Sequence, residues 1–502
     1  MPIVIYKYKN PRALKHEVSL PVIFKSQTNA WMDKPLFLDW FENYSKPSVK
    51  QYQEERQISG KVTTLTCSAC KSVYYCCKDH QKKDWSKHVK ICRPYKVSTI
   101  NLLEIPENLV SKLTENPILG RHYVATRNIK VGEILIKEAP LFSGSQYNSD
   151  LVCLGCLRAL HEGSIIPCTK CGCLLCLSCK QHGPECDFIS SRRIGEISVN
   201  QFSFLNGTYQ YMPFIKILAM KHAHPETYEK LLSLESHSDN TIVQAMASLV
   251  YHFIRIMFKS DDITIEEITR IVGIVKVNPF LVTLTDPPHM AIYELSSLIE
   301  HNCKANCWVE LQNRDELIIR AGTPIAKGDH ISISYINPLL GTENRLKSLH
   351  NYLFQCTCDR CKDPSEFGVM FSALKCKKRD CAGYVLPETF LETRPKPYVC
   401  ATCKSSISPE KVDWILKMID RKVEQAKKSG ITACDEFLKY SKDILHPNHF
   451  YNVDVMLALN KMIDVEDPQQ ANKYLQIKRK RLSKKLYSIF NIISPNHIKI
   501  NL

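Results

Sequence analysis

The sequence predicts an α+β fold stapled by metal, and three observations predict it. Apolar residues alternate at period two through Cys307–Leu311, Glu316–Ala321 and His330–Tyr335, which puts one face of each strand inward. They recur at helical spacing through Tyr228, Leu231, Leu232 and Leu234, and again through Val243, Met246, Leu249, Val250, Phe253 and Ile254. The 23 cysteines cluster in pairs, with CxxC at Cys67/Cys70, Cys153/Cys156, Cys168/Cys171, Cys176/Cys179 and Cys400/Cys403. Two thiolates at that spacing can share one tetrahedral ion, so zinc is preferred here over disulfides.

A chain of 502 residues is long enough for two to four domains with cores of their own. No run of eighteen apolar residues occurs, and the start Met1-Pro2-Ile3-Val4-Ile5-Tyr6-Lys7 lacks the order of a signal peptide. The expectation is an intracellular protein of the cytoplasm or nucleus, a monomer with no membrane partner. The net charge of +16 suits attraction to acidic partners, nucleic acid among them, and equally suits a solvated basic surface.

The stretch Leu295–Tyr335 organises the rest. It holds a polar knot of His301, Cys303 and Asn306, the turn Lys327-Gly328-Asp329 and a terminal Ser334-Tyr335. In these residues it resembles the C-terminal half of a SET domain, the fold of methyltransferases that use S-adenosylmethionine. Of the family's Asn-His-Ser-Cys-x-Pro-Asn-Cys it keeps His301, Cys303, Asn306 and Cys307, with Glu300 in place of the first Asn.

Taken in order, residues 1–62 contain no cysteine, and Leu20-Pro21-Val22-Ile23, Ala30-Trp31-Met32 and Phe37–Phe41 resemble a DDE-type transposase of pogo and Tigger elements. After Gly60-Lys61-Val62 the catalytic carboxylates of that family are missing, so the segment reads as an accidental fusion, genomic or in the gene model. A nucleic-acid-binding arm would need a basic and aromatic cluster, which the segment lacks. Residues 63–95 resemble a MYND zinc finger from its second ligand pair onward. That resemblance implies zinc at Cys67, Cys70, His88 and Cys92, and it leaves Cys76 and His80 without the first pair.

Residues 117–148 carry two alternating stretches around Lys130-Val131-Gly132-Glu133 and resemble the N-terminal hairpin of a SET domain. Gly120 and Arg121 match its Gly-x-Gly, while His122 replaces the second glycine with a Cβ and an imidazole. Residues 149–190 supply eight ligands in four pairs, Cys153/Cys156, Cys168/Cys171, Cys176/Cys179 and His182/Cys186. Paired crosswise, Cys153, Cys156, Cys176 and Cys179 would hold one zinc and Cys168, Cys171, His182 and Cys186 a second. This resembles a complete MYND arrangement inserted in a SET domain, as in the arthropod-specific group of SET and MYND proteins. Residues 191–275 would be the helical insert, and just beyond it Asn278 matches a residue that contacts the cofactor in the resembled family.

Residues 276–352 would complete the SET core, and residues 353–405 bring Cys356, Cys358 and Cys361, three thiolates that need a fourth. The resemblance supplies it from Cys303, a post-SET zinc site tying the following segment over the active site. Cys376/Cys381 with Cys400/Cys403 reads as a zinc-ribbon-like clip, and residues 406–502 as helical hairpins. With the N-terminal finger, the expected content is about five zinc ions.

The resemblance implies a lysine methyltransferase in which Tyr335 is catalytic and Gly120, Arg121, Asn278, Glu300, His301 and Phe354 hold S-adenosylmethionine. The substrate would be a protein or peptide, histone or not. Glu300 sets a second carboxylate beside that of the cofactor, a repulsion of ~1 to 4 kcal/mol at contact. Two readings therefore stand: a methyltransferase weakened in its cofactor site, and a catalytically reduced scaffold that binds partner proteins.

Overall fold

The computed structural model describes residues 110–116, 119–147, 151–161, 163–194, 209–392, 394–465 and 473–495, with four short strands and positions 78, 82 and 85 before them. The chain divides into two units, Met1–Ile105 and Pro106–Leu502. In the first, Ile3–Tyr6 pairs in parallel with Ile23–Ser26, and Leu65–Thr66 pairs antiparallel with Tyr74–Tyr75. The expected finger ligands Cys67, Cys70, His88 and Cys92, together with Cys76 and His80, lie outside the described residues.

Three small sheets build the core of the second unit. Ser111–Asn116 forms a hairpin with Gly120–Ala125, which pairs on its other side with His330–Ile333, and Glu300–His301 adds to that strand in parallel. A second sheet runs Cys307–Gln312, Glu316–Ala321, Ile134–Glu138, and a third runs Phe280–Val282, His289–Ile292, Phe142–Gly144. Buried Tyr123, Ile129, Tyr293, Ile299, Ile319, Ile331 and Ile333 fill the space between them. The hairpin expected between the two stretches of residues 117–148 is not formed: Gly120–Ala125 and Ile134–Glu138 belong to different sheets. The linker between them is bonded elsewhere, Ile129 bridging Ile325 and the Gly132 N–H donating to the Ala321 carbonyl at 2.8 Å. Local alternation reports a strand, and its partner is decided by contacts distant in sequence.

The helical insert begins after the cysteine-rich segment and contains Met212–Ala223, Pro225–Leu232, Thr241–Met257 and Ile265–Val277. Asn240 and Thr264 cap the last two, their side chains accepting from the Ile242 and Glu267 N–H groups at 2.9 and 3.2 Å. Gly273 is needed for packing, because a Cβ there would overlap the Ser236 carbonyl. That close approach holds the Glu235–His237 turn against the helix leading to Asn278, so the insert reaches the site through it.

Beyond the core, Pro409–Ser429, Ile431–Tyr440, Phe450–Val465 and Lys473–Ile493 are helices. The first buries Val412, Ile415, Ile419, Val423 and Ala426 along one stripe, the spacing of an amphipathic helix. Among the described residues, no helix is long and apolar enough to cross a membrane.

Candidate active site and metal centres

The chain leaves strand His330–Ile333 and two residues later reaches Tyr335, just past the strand end. Its main-chain N–H donates to Nδ1 of His301 at 3.0 Å, and its hydroxyl donates to the Ile299 carbonyl at 2.5 Å. Because Nδ1 accepts, the proton of a neutral His301 ring sits on Nε2, which meets Cys303 Sγ at 3.2 Å. Both ring nitrogens of His301 are thus engaged within the protein, and only its main chain is left for a ligand. Burial pushes the Tyr335 hydroxyl above its ordinary pKa, and the carboxylate of Glu300 and the hydroxyl of Tyr352 add to the shift.

Tyr335 and Tyr352 line a cavity of about 280 Å³ together with Asn278, Phe280, Ser296 and Val309. Its Ser296 wall is fixed by the half-buried Glu138 carboxylate, which accepts from the Leu295 and Ser296 N–H groups at 3.0 and 2.7 Å. Asn278 donates both amide hydrogens to carbonyls, those of Glu235 and Ile274, at 2.8 and 2.9 Å, so its Oδ1 alone can face a ligand. Burial of the Glu235 carboxyl works against ionisation, but the His237 and Ser236 N–H groups and the charges of His237 and Arg121 hold it below its usual range. Arg121 thereby acts within reach of the turn that anchors Asn278. Phe354 stands edge-on to Tyr335 with ring centres 6.3 Å apart. Glu300 turns its Oε2 toward Nδ1 of His330 at 3.0 Å.

Tyr352 was invisible in the sequence. It is one aromatic among several in Asn351-Tyr352-Leu353-Phe354, and only the fold brings its ring to 5.4 Å from that of Tyr335.

Four groups of side chains converge elsewhere: Cys153, Cys156, Cys176, Cys179; Cys168, Cys171, His182, Cys186; Cys303, Cys356, Cys358, Cys361; and Cys376, Cys381, Cys400, Cys403. In each, the candidate ligand atoms lie within 4.8 Å of one another, and the sets are the four that the cysteine spacing together with the family resemblance implied. Thiolates about 2.3 Å from one zinc stand about 3.8 Å apart at the corners of a tetrahedron. The sulfurs of Cys156 and Cys176 are 3.7 Å apart, Cys168 and Cys186 3.6 Å, Cys303 and Cys356 3.9 Å, and Cys381 and Cys400 3.7 Å. These separations are far too long for disulfides and suit one ion per group.

Peptide N–H groups point at several of the sulfurs, Cys173 at Cys171, Lys378 at Cys376 and Gly383 at Cys381, between 3.4 and 3.5 Å. Such donors stabilise thiolates. The surrounding thiols of Cys356, Cys358 and Cys361 hold the Cys303 thiol far below its ordinary pKa. The Cys303 carbonyl in turn accepts from buried Arg360, which is paired with Glu366 at 2.7 Å.

Glu185 is a further residue that sequence reasoning missed. It is fully buried, and its Oε1 accepts from Nδ1 of His182 at 2.8 Å, which frees Nε2 toward Cys171 Sγ, 3.1 Å away. A carboxylate behind a ligating imidazole fixes its tautomer and orientation. The signal was the spacing His182-x-x-Glu185 at the start of helix Glu185–Arg192.

The family model for the SET domain matches residues 120–336, that for the MYND finger residues 55–92, and that for the DDE superfamily endonuclease residues 1–59. The SET domain-containing protein SmydA-8, isoform A, of Drosophila melanogaster is 23% identical over 326 residues, 62% of this chain and 69% of that protein. Histone-lysine N-methyltransferase ASHR1 of Arabidopsis thaliana is 22% identical over 401 residues, 72% of this chain and 80% of the relative. The Jerky protein homolog of Homo sapiens is 47% identical over 51 residues, 10% of this chain and 9% of that one.

Proposed function

From a chain that carries a SET domain over residues 120–336 and a MYND finger over residues 55–92, we propose an S-adenosylmethionine-dependent methyltransferase that modifies lysine amines of proteins. The observation that carries this reading is Tyr335, held on both sides by His301 and Ile299 and lining the cavity that Asn278 and Tyr352 also line. ASHR1, named a histone-lysine N-methyltransferase, supports a protein substrate.

When bound, S-adenosylmethionine supplies an electrophilic methyl group, so the chain needs no nucleophile of its own. The residues present fit such a group. Gly120 has φ +64°, and nothing lies within 4 Å of where its Cβ would be, so a ligand can approach the backbone closely. Asn278 Oδ1 can accept from an ammonium, and Arg121, the His301 main chain and the Phe354 ring would complete the hold. Phe280, Val309 and Tyr352 give the cavity apolar walls that exclude water and align an amine. Because its pKa is raised, Tyr335 stays protonated at neutral pH and acts through its dipole, not as a base. Its proton is directed at the Ile299 carbonyl, which leaves the oxygen lone pairs for the amine and the methyl group in transfer. The Cys303 cluster, carrying a zinc ion, would hold the Phe354 segment over the site. Cysteine groups placed to bind zinc as thiolates suit a reducing compartment, the cytoplasm or the nucleus.

A second reading, a scaffold with little catalysis, is favoured by one observation. Glu300 spends its carboxylate on His330, where the family places an asparagine. Calorimetric titration with S-adenosylmethionine separates the two. Measurable binding, with methyl transfer to a histone mixture that Tyr335→Phe lowers roughly a hundredfold, supports the enzyme; absence of binding to zinc-loaded protein overturns it.

A further inference from the structure

We propose that His122, Glu300 and His330 form a binding site for a divalent first-row transition ion, separate from the four cysteine-based groups. The site stands on geometry alone and does not depend on methyl transfer. The three residues come from three neighbouring strands of one sheet, in the order Glu300–His301, His330–Ile333, Gly120–Ala125. Glu300 is opposite Ser332 and His330 opposite Val124, so alternation along the strands puts Glu300, His330 and His122 on one face. Their candidate ligand atoms lie within 4.8 Å of one another. Nδ1 of His330 is 3.0 Å from Glu300 Oε2, and the His122 and His330 rings stack with centres 4.7 Å apart and planes 20° from parallel.

The surroundings support ligation. The Gly120 carbonyl can only accept, so the contact at 2.9 Å places the His122 proton on Nδ1 and makes Nε2 the acceptor; Thr114 Oγ1 at 3.0 Å and Asn116 Nδ2 at 3.5 Å stand at that lone pair and would give way to an ion. A carbonyl that fixes the tautomer of an imidazole is a usual partner of a metal-binding histidine. Exposure is graded: His122 is 3% exposed and the Glu300 side chain 9%, whereas the His330 side chain is 45% exposed. Two ligands are thus held in place, and the third faces solvent and leaves room for water or another ligand on the ion. Two imidazoles and a carboxylate suit zinc, copper, nickel or iron, and without a thiolate the donor set differs from that of the cysteine groups. On binding, the ion takes the place of the proton between His330 and Glu300 and releases it to solvent.

The test uses the full chain with its cysteine groups filled with zinc, dialysed against EDTA to remove loosely held metal and titrated with cobalt(II). One added equivalent is expected, showing weak d–d absorption without the thiolate-to-cobalt charge-transfer band of a cysteine site. His330→Ala, an exposed change that the fold tolerates, and Glu300→Gln should each remove that equivalent and leave the zinc content as it was. The proposal is overturned if the wild type takes up no such cobalt, if the bound cobalt shows the thiolate band, or if His330→Ala keeps the uptake.

Discussion

The peptide N–H of Tyr335 donates to Nδ1 of His301 at 3.0 Å, and the opposite nitrogen of the same ring meets Cys303 Sγ at 3.2 Å. One imidazole therefore couples a four-cysteine group to the tyrosine at the cavity. A zinc ion on Cys303 would be felt at Tyr335 through that ring. Replacing His301 with Ala should reduce methyl transfer by about 10- to 100-fold while metal content falls little, because the four sulfurs remain. Parallel metal analysis and turnover measurements check this, and an equal loss of zinc would mean that the histidine serves the metal alone.

Tyr335→Phe removes a hydroxyl that, with its proton given to Ile299, can only accept from the reacting groups. Turnover should fall by roughly a hundredfold with cofactor affinity nearly unchanged, since the contact is made chiefly in the transition state. Stability should fall by about 1 kcal/mol, the cost of leaving the Ile299 carbonyl without its donor. Single-turnover rates beside calorimetric affinities would distinguish this from simple loss of binding.

The comparison of sequence with structure turns on the range of each interaction. Cysteine pairs are local and so legible as ligands, and the crosswise sharing that the MYND resemblance implies, Cys153/Cys156 with Cys176/Cys179, names the same four that the fold brings together. Strand alternation in Cys307–Gln312 and Glu316–Ala321 was equally legible, since a short turn joins them. The pairing of Gly120–Ala125 with His330–Ile333 on the side away from Ser111–Asn116 was not, because the two strands lie about two hundred residues apart. Both donors of Asn278 are spent on carbonyls of a turn and a helix whose approach rests on Gly273. His122 and Glu300 read in the sequence as two separate departures from a pattern; only the sheet shows that both face His330.

Glu185→Gln tests the support behind His182. The amide can present a donor to Nδ1 and so lose the preference for the tautomer that leaves Nε2 free. Zinc affinity of the Cys168, Cys171, His182 and Cys186 group should weaken by roughly 10- to 100-fold. The other three groups should hold their metal. Competition with a chromophoric chelator, which counts ions released at each concentration, would reveal one labile ion; release of none would make Glu185 a packing residue.

The C-terminal helices carry a titration of their own. His449 is fully buried, its Nδ1 accepts from the Tyr451 N–H at 3.3 Å, and its Nε2 has no partner. Burial, helped by the nearby charge of His446, holds it down at about 3 against 6.5 in the unfolded chain. The sign follows from that depression: the folded state binds the proton more weakly, so stability is full above pH 6.5 and is lost as pH falls toward 3. At pH 5 the loss from this residue alone is up to about 2 kcal/mol. Acid also releases zinc from cysteine groups, so the wild-type pH dependence alone is ambiguous. His449→Phe keeps an aromatic ring against Phe450 and Tyr451 and removes the titration, and it leaves every candidate metal ligand in place. Urea unfolding at pH 7 and pH 5 should therefore show a smaller loss for His449→Phe than for the wild type, by up to the same 2 kcal/mol or so. Equal losses in both proteins would assign the acid sensitivity to the metal groups and remove His449 from the account.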